Sequence, residues 1–470
     1  MSNRSEDRAK SDGSLVGGIM ERIFIEFQHL NGTTWFYLSL LLMIAIYFRF
    51  TRFFSLRNLD LIALFLLVPG LLAVHLHEQA PSASTVLPDG EPVRGETETE
   101  AEEAFSPVHL GYIWLFSVSG FFLARAFLDL FLARRPRLEP NLNISGLAFL
   151  AVALLGFLIY EVMVKRPDPY SMHGAKVASA LWNGDQPATN IDAADPATVL
   201  MMGPIIAVHG KVADRVQEDT EITKTDVEQS VARSVAILCH LLIVSALLLI
   251  GWRHFDSPLS GMGLAALYLM LPVTAIHVEK IGHLLPSALI LWAVYAYRRP
   301  WLSGMLLGVA SVFLFPLFLI PLWTGFYWNR GARWFLATFF TVVIAFVFAI
   351  WWVPALRSFM EMQVNSLAWK AWEFQQMGET AGIWTKATQF YRFPIFVVFI
   401  TLVIASAFWP KEKNLAELIA LSVAILIGVQ FWYNNRGGTY ILWYLPLLLL
   451  MIYRPSLADA RPPEPKLKTA

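Results

Sequence analysis

Twelve long apolar runs follow one another along this chain, at roughly 33–49, 60–76, 109–133, 144–164, 231–252, 259–277, 281–297, 301–327, 333–353, 394–409, 414–432 and 439–453. Each is long enough, or nearly so, to cross the ~30 Å hydrocarbon core of a bilayer. A water-soluble fold has no core that could hide them, because hydrophobic residues fill 56% of the 470 positions and charged residues only 15%. In lipid each backbone N–H must find its acceptor within its own segment, so only helices fit. The expected fold class is therefore all-α, a polytopic transmembrane helical bundle. The expected location is an integral, multi-pass position in a plasma membrane, the inner membrane of a bacterium.

Lys plus Arg (36) equals Asp plus Glu (36), so no global field recruits nucleic acid. The single cysteine, Cys239, sits inside an apolar run, which excludes an intrachain disulfide and a Cys-ligated metal site. His240, His254 and His277 are scattered without ligand spacing and read as structural, so no metal is expected. Residues 1–30 are polar and charged, and insertion is expected through the chain's own spans. Within them, 20–28 alternates apolar and charged positions at helical spacing, as a short interfacial helix does.

Basic residues in short connections mark the cytoplasmic side. The clusters are Arg49/Arg52/Arg57, Arg134/Arg135/Arg137, Arg298/Arg299, Arg330/Arg333 and Lys411/Lys413. If every run crossed once, the pairs flanking 301–327 would fall on opposite sides. That run carries Gly304, Gly308, Pro316, Pro321 and Gly325, a pattern suited to two re-entrant half-helices rather than a crossing. The expectation is eleven spans plus one re-entrant or broken helix, with the N-terminus outside and the C-terminus inside. The loops at 77–108, 165–230 and 354–393 are then external. The first holds Glu96, Glu98, Glu100, Glu102 and Glu103, a solvated acidic stretch to which no chemistry is assigned.

Several local patterns recur in an order that resembles the GT-C superfamily of membrane glycosyltransferases, of the type that uses polyprenyl-phosphate mannose. After the 144–164 run come Asp168-Pro169-Tyr170, a small-residue stretch Gly174 to Leu181 and Trp182-Asn183-Gly184. Further on, Gly282-His283 opens a run ending in Arg298-Arg299-Pro300-Trp301, followed by Gly304, Gly308, Ala310, Pro316 and Pro321, then Arg330 and Arg333. A turn at 433–440 leads into Leu442-Trp443-Tyr444-Leu445-Pro446. The likeness covers 144–453, so the chain divides into an N-terminal module with three spans (1–143), a GT-C-like core (144–453) and a cytoplasmic tail (454–470). Two positions depart from the family pattern. Ser311 to Phe315 hold no basic residue where a lysine is usual, and His283 stands in place of a glutamine.

The resemblance implies transfer of a sugar, mannose among the candidates, from a polyprenyl-phosphate donor to a glycan or lipid acceptor at the external face, with no cofactor. The acceptor hydroxyl is a weak nucleophile and needs a carboxylate to take its proton. Asp168 is the candidate base, with Asp185, Asp192 and Asp195 in reserve. The departing lipid phosphate needs cationic partners, and Arg436, Lys280 and His283 are the candidates. Tyr170, Trp369 and Trp372, with Trp384 beside them, are candidate contacts to sugar or polyprenyl chain. Each has a plainer reading: Asp168 as a helix cap, Arg436 as an interfacial side chain, Glu279-Lys280 as a solvated pair, the tryptophans as anchors. Rival functions are a transporter or lipid-handling protein and a non-catalytic relative that keeps the fold; the absent lysine favours the latter.

Overall fold

A computed structural model describes residues 32–79, 107–132, 140–185, 194–216, 224–366, 382–384, 388–433 and 436–462. The acidic stretch, the 20–28 segment and residues 463–470 of the tail lie outside the described residues. Among those described, the chain is all-α. In order the helices are α1 (Gly32–Tyr47), α2 (Leu56–Gln79), α3 (Pro107–Asp129), α4 (Ile144–Val164), α5 (Pro169–Asn183), α6 (Pro196–Val216), α7 (Lys224–Arg253), α8 (Pro258–Met270) and α9 (Pro272–Ile276). They continue with α10 (Ile281–Tyr295), α11 (Pro300–Ala310), α12 (Ile320–Tyr327), α13 (Ala332–Trp352), α14 (Pro354–Ser366), α15 (Arg392–Phe408), α16 (Leu415–Trp432) and α17 (Ile441–Tyr453). Proline recurs at the first helical position, where its missing N–H is no loss and its φ is already helical.

Among the described residues, six helices are long and apolar enough to cross a membrane: α2, α3, α4, α7, α13 and α16. Their surroundings differ. The apolar window of α16 is 89% buried within the protein, whereas that of α13 is only 11% buried. Ile344, Phe348, Trp351 and Trp352 of α13 point outward. An apolar helix so exposed is stable only against lipid. Shorter apolar helices, α8, α10 and α17, fill the centre; at 13 to 15 residues they measure about 20 Å, well under the ~30 Å of hydrocarbon.

The 301–327 run folds back on itself. α11 rises to Ala310, two single-turn 3₁₀ segments (311–313 and 315–319) meet at Leu314, and α12 returns. Leu314 makes the reversal with φ +70°, a conformation rare and strained for a branched side chain. The return brings the two ends together: the Tyr327 hydroxyl donates to the Tyr297 carbonyl at 2.7 Å and lies 3.1 Å from Ser303 Oγ. Gly331 abuts Pro300, and α13 then runs alongside α11, with Gly304 against Phe335 and Gly308 against Phe339 and Val342.

Basic turns collect at this end of the bundle. Arg330 donates to the Pro462 carbonyl at 3.0 Å, Arg461 pairs with Glu412 at 2.6 Å, and Phe131 meets Trp409. There too, four charges are buried together. Arg125 holds Asp60 (3.1 Å) and Asp129 (3.2 Å), and Arg454 holds the other oxygen of Asp129. This network ties α2 and α3 to the end of α17, and Ser119 approaches Tyr444 at 3.4 Å higher up the same interface. The N-terminal helices therefore pack directly on the C-terminal ones.

Candidate functional site

At the opposite end lies a cavity of about 380 Å³, lined by residues from α2, α5, α6, α10, α14, α17 and the turns before them. Its construction begins where α4 stops. Lys165, the C-cap of α4, donates to the Ala275 carbonyl at 2.9 Å and stands 3.8 Å from Glu279. Arg233 of α7 donates to the Lys165 carbonyl at 3.3 Å. The segment leading to Asp168 is thus pinned against the turn that carries Lys280.

Asp168 caps α5. Its Oδ2 accepts the Tyr170 N–H at 3.2 Å, with Pro169 at the first helical position and Gly184, in the left-handed region, closing the far end. The plainer reading of Asp168 is therefore present in the structure, together with its place on the cavity wall. Burial raises its pKa above the ordinary carboxylate value, while Lys280, the Tyr170 and Ser171 N–H groups and Arg436 act in the opposite direction. Asp195 begins α6 in the same manner, accepting the Thr198 N–H at 2.7 Å, and burial pushes its pKa up to about 6. Glu279 is raised by burial as well, against the opposing charge of Lys165.

Arg436 enters from the turn between α16 and α17. It holds φ +53°, and Thr439 fixes its carbonyl through both N–H (3.1 Å) and Oγ1 (2.8 Å). Gly437 follows because a Cβ there would strike the Gln430 and Tyr433 carbonyls at 2.5 and 2.7 Å. Strain of this kind in a non-glycine residue costs about 1–3 kcal/mol and persists only where the surroundings impose it. On the wall beside it, Tyr440 stacks on His283 at 5.1 Å and 11° between planes, and His277 approaches His283 at 5.3 Å. The floor is the reversal of the 301–327 run: Phe313 lines the cavity, and Phe315 meets Tyr433, Tyr440 and Trp443 at 4.7 to 5.0 Å.

Four helix N-termini converge here. Tyr170 and Ser171 begin α5, Thr198 begins α6, Gly282 and His283 begin α10, and Tyr440 with Trp443 begins α17, all on the lining. Their macrodipoles add partial positive charge to Lys280 and Arg436, which favours an anion with several oxygens. Two carboxylates beside that field supply proton acceptors. The arrangement can seat a phosphate-bearing ligand next to a base.

Of the residues singled out from sequence, Asp168, Tyr170, Asp195, Lys280, His283 and Arg436 share this cavity. Asp185 does not: it is exposed beyond the far end of the 15-residue α5, about 22 Å from the cap. Trp384 is buried away from the lining. Asp192, Trp369 and Trp372 lie outside the described residues. His277, read as structural, stands on the wall, and Ser171, Thr198, Phe313, Tyr440 and Trp443 were not anticipated. Tyr440 and Trp443 carried a signal, since three residues apart at the start of a helix they share a face. Among the described residues no three His, Cys, Asp or Glu side chains gather as a metal site would require. No protein family matches the chain, and no curated protein or solved structure does.

Proposed function

We propose that the protein is a membrane glycosyltransferase that moves a sugar from a polyprenyl-phosphate donor to an acceptor hydroxyl at the external membrane face. The observation carrying this reading is that Asp168, Lys280 and Arg436, from three distant parts of the chain, line one cavity. In the proposed orientation the basic end, with Arg298, Arg330 and Lys411, is cytoplasmic. The cavity then opens near the outer leaflet, recessed because the helices beneath it are short.

In the proposed reaction Lys280, Arg436 and the surrounding helix N-termini hold the donor phosphate. The acceptor oxygen attacks the anomeric carbon, the bond from that carbon to the phosphate oxygen breaks, and the pair of electrons leaves with the lipid phosphate. The acceptor proton passes to Asp168, whose second oxygen keeps the Tyr170 N–H. Burial raises the basicity of the carboxylate, and the charge of Lys280 opposes that rise. Asp195 is the reserve acceptor on the same wall.

A second reading has its own observation. The cavity floor at Ser311 to Phe315 is apolar and aromatic, where the resembling family carries a lysine. A non-catalytic relative would keep the cavity and lack turnover. Incubation of purified protein with polyprenyl-phosphate mannose and other polyprenyl-phosphate sugars, with release of lipid phosphate as readout, separates the two. Turnover in the wild type that is lost in Asp168→Asn supports the enzyme. Donor binding without turnover under every acceptor tried supports the non-catalytic relative.

A further inference from the structure

At the basic end a second and larger cleft, about 930 Å³, opens between α12 and α15. Gly325 lets the two helices touch on its lining, since a side chain there would collide with the Ala407 carbonyl. One wall is apolar, with Ile320, Pro321 and Phe408. Phe408 is exposed, as is Trp328 at the mouth. The other wall is cationic, with Arg330, Lys411, Lys413 and Arg461 against a single carboxylate, Glu412. Lys413 is held inward by the Ala407 and Pro410 carbonyls at 2.9 and 2.8 Å, while Lys411 is exposed at the rim.

We infer that this cleft binds the phosphate headgroup of an anionic lipid from the leaflet at the basic end, with the acyl chains against α12 and α15. Charge chooses an anion, because Glu412, the one carboxylate on the lining, pairs with Arg461 and leaves Arg330, Lys411 and Lys413 as excess positive charge. The apolar wall chooses an amphiphile over a soluble phosphate, because a small ion would leave Ile320 and Phe408 against water. Trp328 stands where tryptophan meets headgroups. Nothing in this inference depends on the chemistry of the other cavity.

Native mass spectrometry of the full chain in detergent, titrated with phosphatidylglycerol, phosphatidylcholine or glycerol phosphate, tests it. Phosphatidylglycerol should bind the wild type at one saturable site, at least tenfold more tightly than phosphatidylcholine, and glycerol phosphate should not compete at equal concentration. Each cation removed should weaken binding about fivefold: Lys411→Gln once, Lys411→Gln with Arg461→Gln more. Glu412→Gln should tighten it. Lys176→Gln, on α5 at the far end, should change nothing. Equal binding of the two lipids, competition by glycerol phosphate, or full retention in Lys411→Gln would each overturn the inference. Since Lys411 is exposed at the rim and makes no hydrogen bond among the described residues, its variant remains informative if the double variant fails to fold.

Discussion

The imidazole of His283 lies parallel to the phenol ring of Tyr440, with centroids 5.1 Å apart, and this stack joins the turn carrying Lys280 to the turn carrying Arg436. The two cations come from segments that share no helix. What keeps them on one wall is therefore aromatic packing, reinforced by Phe315 against Tyr440 at 5.0 Å. His283 Nδ1 is buried and has no hydrogen-bond partner among the described residues, so the ring faces the cavity as a surface with an unused polar atom.

His283→Ala should therefore weaken donor binding about tenfold, near the upper worth of one aromatic pair. His283→Phe should restore the stack and most of the affinity. Equilibrium binding of a polyprenyl-phosphate sugar to both variants measures this. Undiminished binding by the alanine variant would show that the stack positions nothing.

Asp168→Asn keeps an oxygen for the Tyr170 N–H and removes the proton acceptor. Turnover should fall by about 10²–10⁴-fold, with thermal stability and donor affinity close to wild type. If Asp168 serves only as the cap of α5, the asparagine variant will instead show full activity per folded molecule.

The pH profile carries a separate sign. If Asp168 is the base it must be ionised to act, so the rate should rise with pH through its pKa, which burial has lifted above the ~3.9 of a free aspartate. Lys280 opposes that lift. In Lys280→Gln the acid limb should move to higher pH, in addition to any loss of donor affinity. A limb that stays in place would detach Lys280 from Asp168.

Arg436→Asn tests whether the backbone strain serves the side chain. Asparagine tolerates the left-handed region better than arginine does, so the melting temperature should hold or rise slightly. Donor affinity should drop about 10–100-fold with the loss of charge-assisted hydrogen bonds, and rate should fall with it. A variant that binds donor normally would return Arg436 to the role of an interfacial side chain.

Asp195 gives a stability measurement independent of activity. Its folded pKa of about 6 stands above the ~3.9 of an unfolded aspartate, so the folded state binds the proton more tightly. That contribution is fully present below the unfolded value and is lost as pH rises through 6. Between pH 4 and 6 the wild type should lose stability relative to Asp195→Asn, which retains the cap to Thr198. Parallel melting curves across that window would disprove the assignment.

The apolar runs were legible because lipid leaves the backbone one solution, and all twelve carry helix. The reversal at 301–327 was legible from the flanking pairs Arg298/Arg299 and Arg330/Arg333 together with the glycines and prolines that break the run. What the sequence could not disclose was depth. The length of α17 is set by the turn at Arg436, and that the cavity is recessed depends on where α10 and α17 begin. Convergence of Tyr440, His283 and Phe315 joins three segments without any shared periodicity. The charges at Asp60, Asp129 and Arg454 sit at or near the edges of apolar runs, and Arg125 lies eight residues inside one. Only packing shows that they are partners.

Those four charges support the last prediction. Arg125 has a side-chain exposure of 2%, Asp60 0%, Asp129 1% and Arg454 1%, so water screens none of them. Arg125→Met would take from Asp60 and Asp129 the guanidinium that faces both, at a cost of about 3–5 kcal/mol. Replacing all four together, Asp60→Leu with Arg125→Met, Asp129→Leu and Arg454→Met, removes the uncompensated charge along with the pairs. The desolvation penalty of a buried pair roughly cancels its attraction, so the quadruple variant should be more stable than the single one. Denaturant unfolding in mixed micelles would compare them. If the quadruple variant is the less stable of the two, the network holds α2, α3 and α17 together through its charges rather than merely tolerating them.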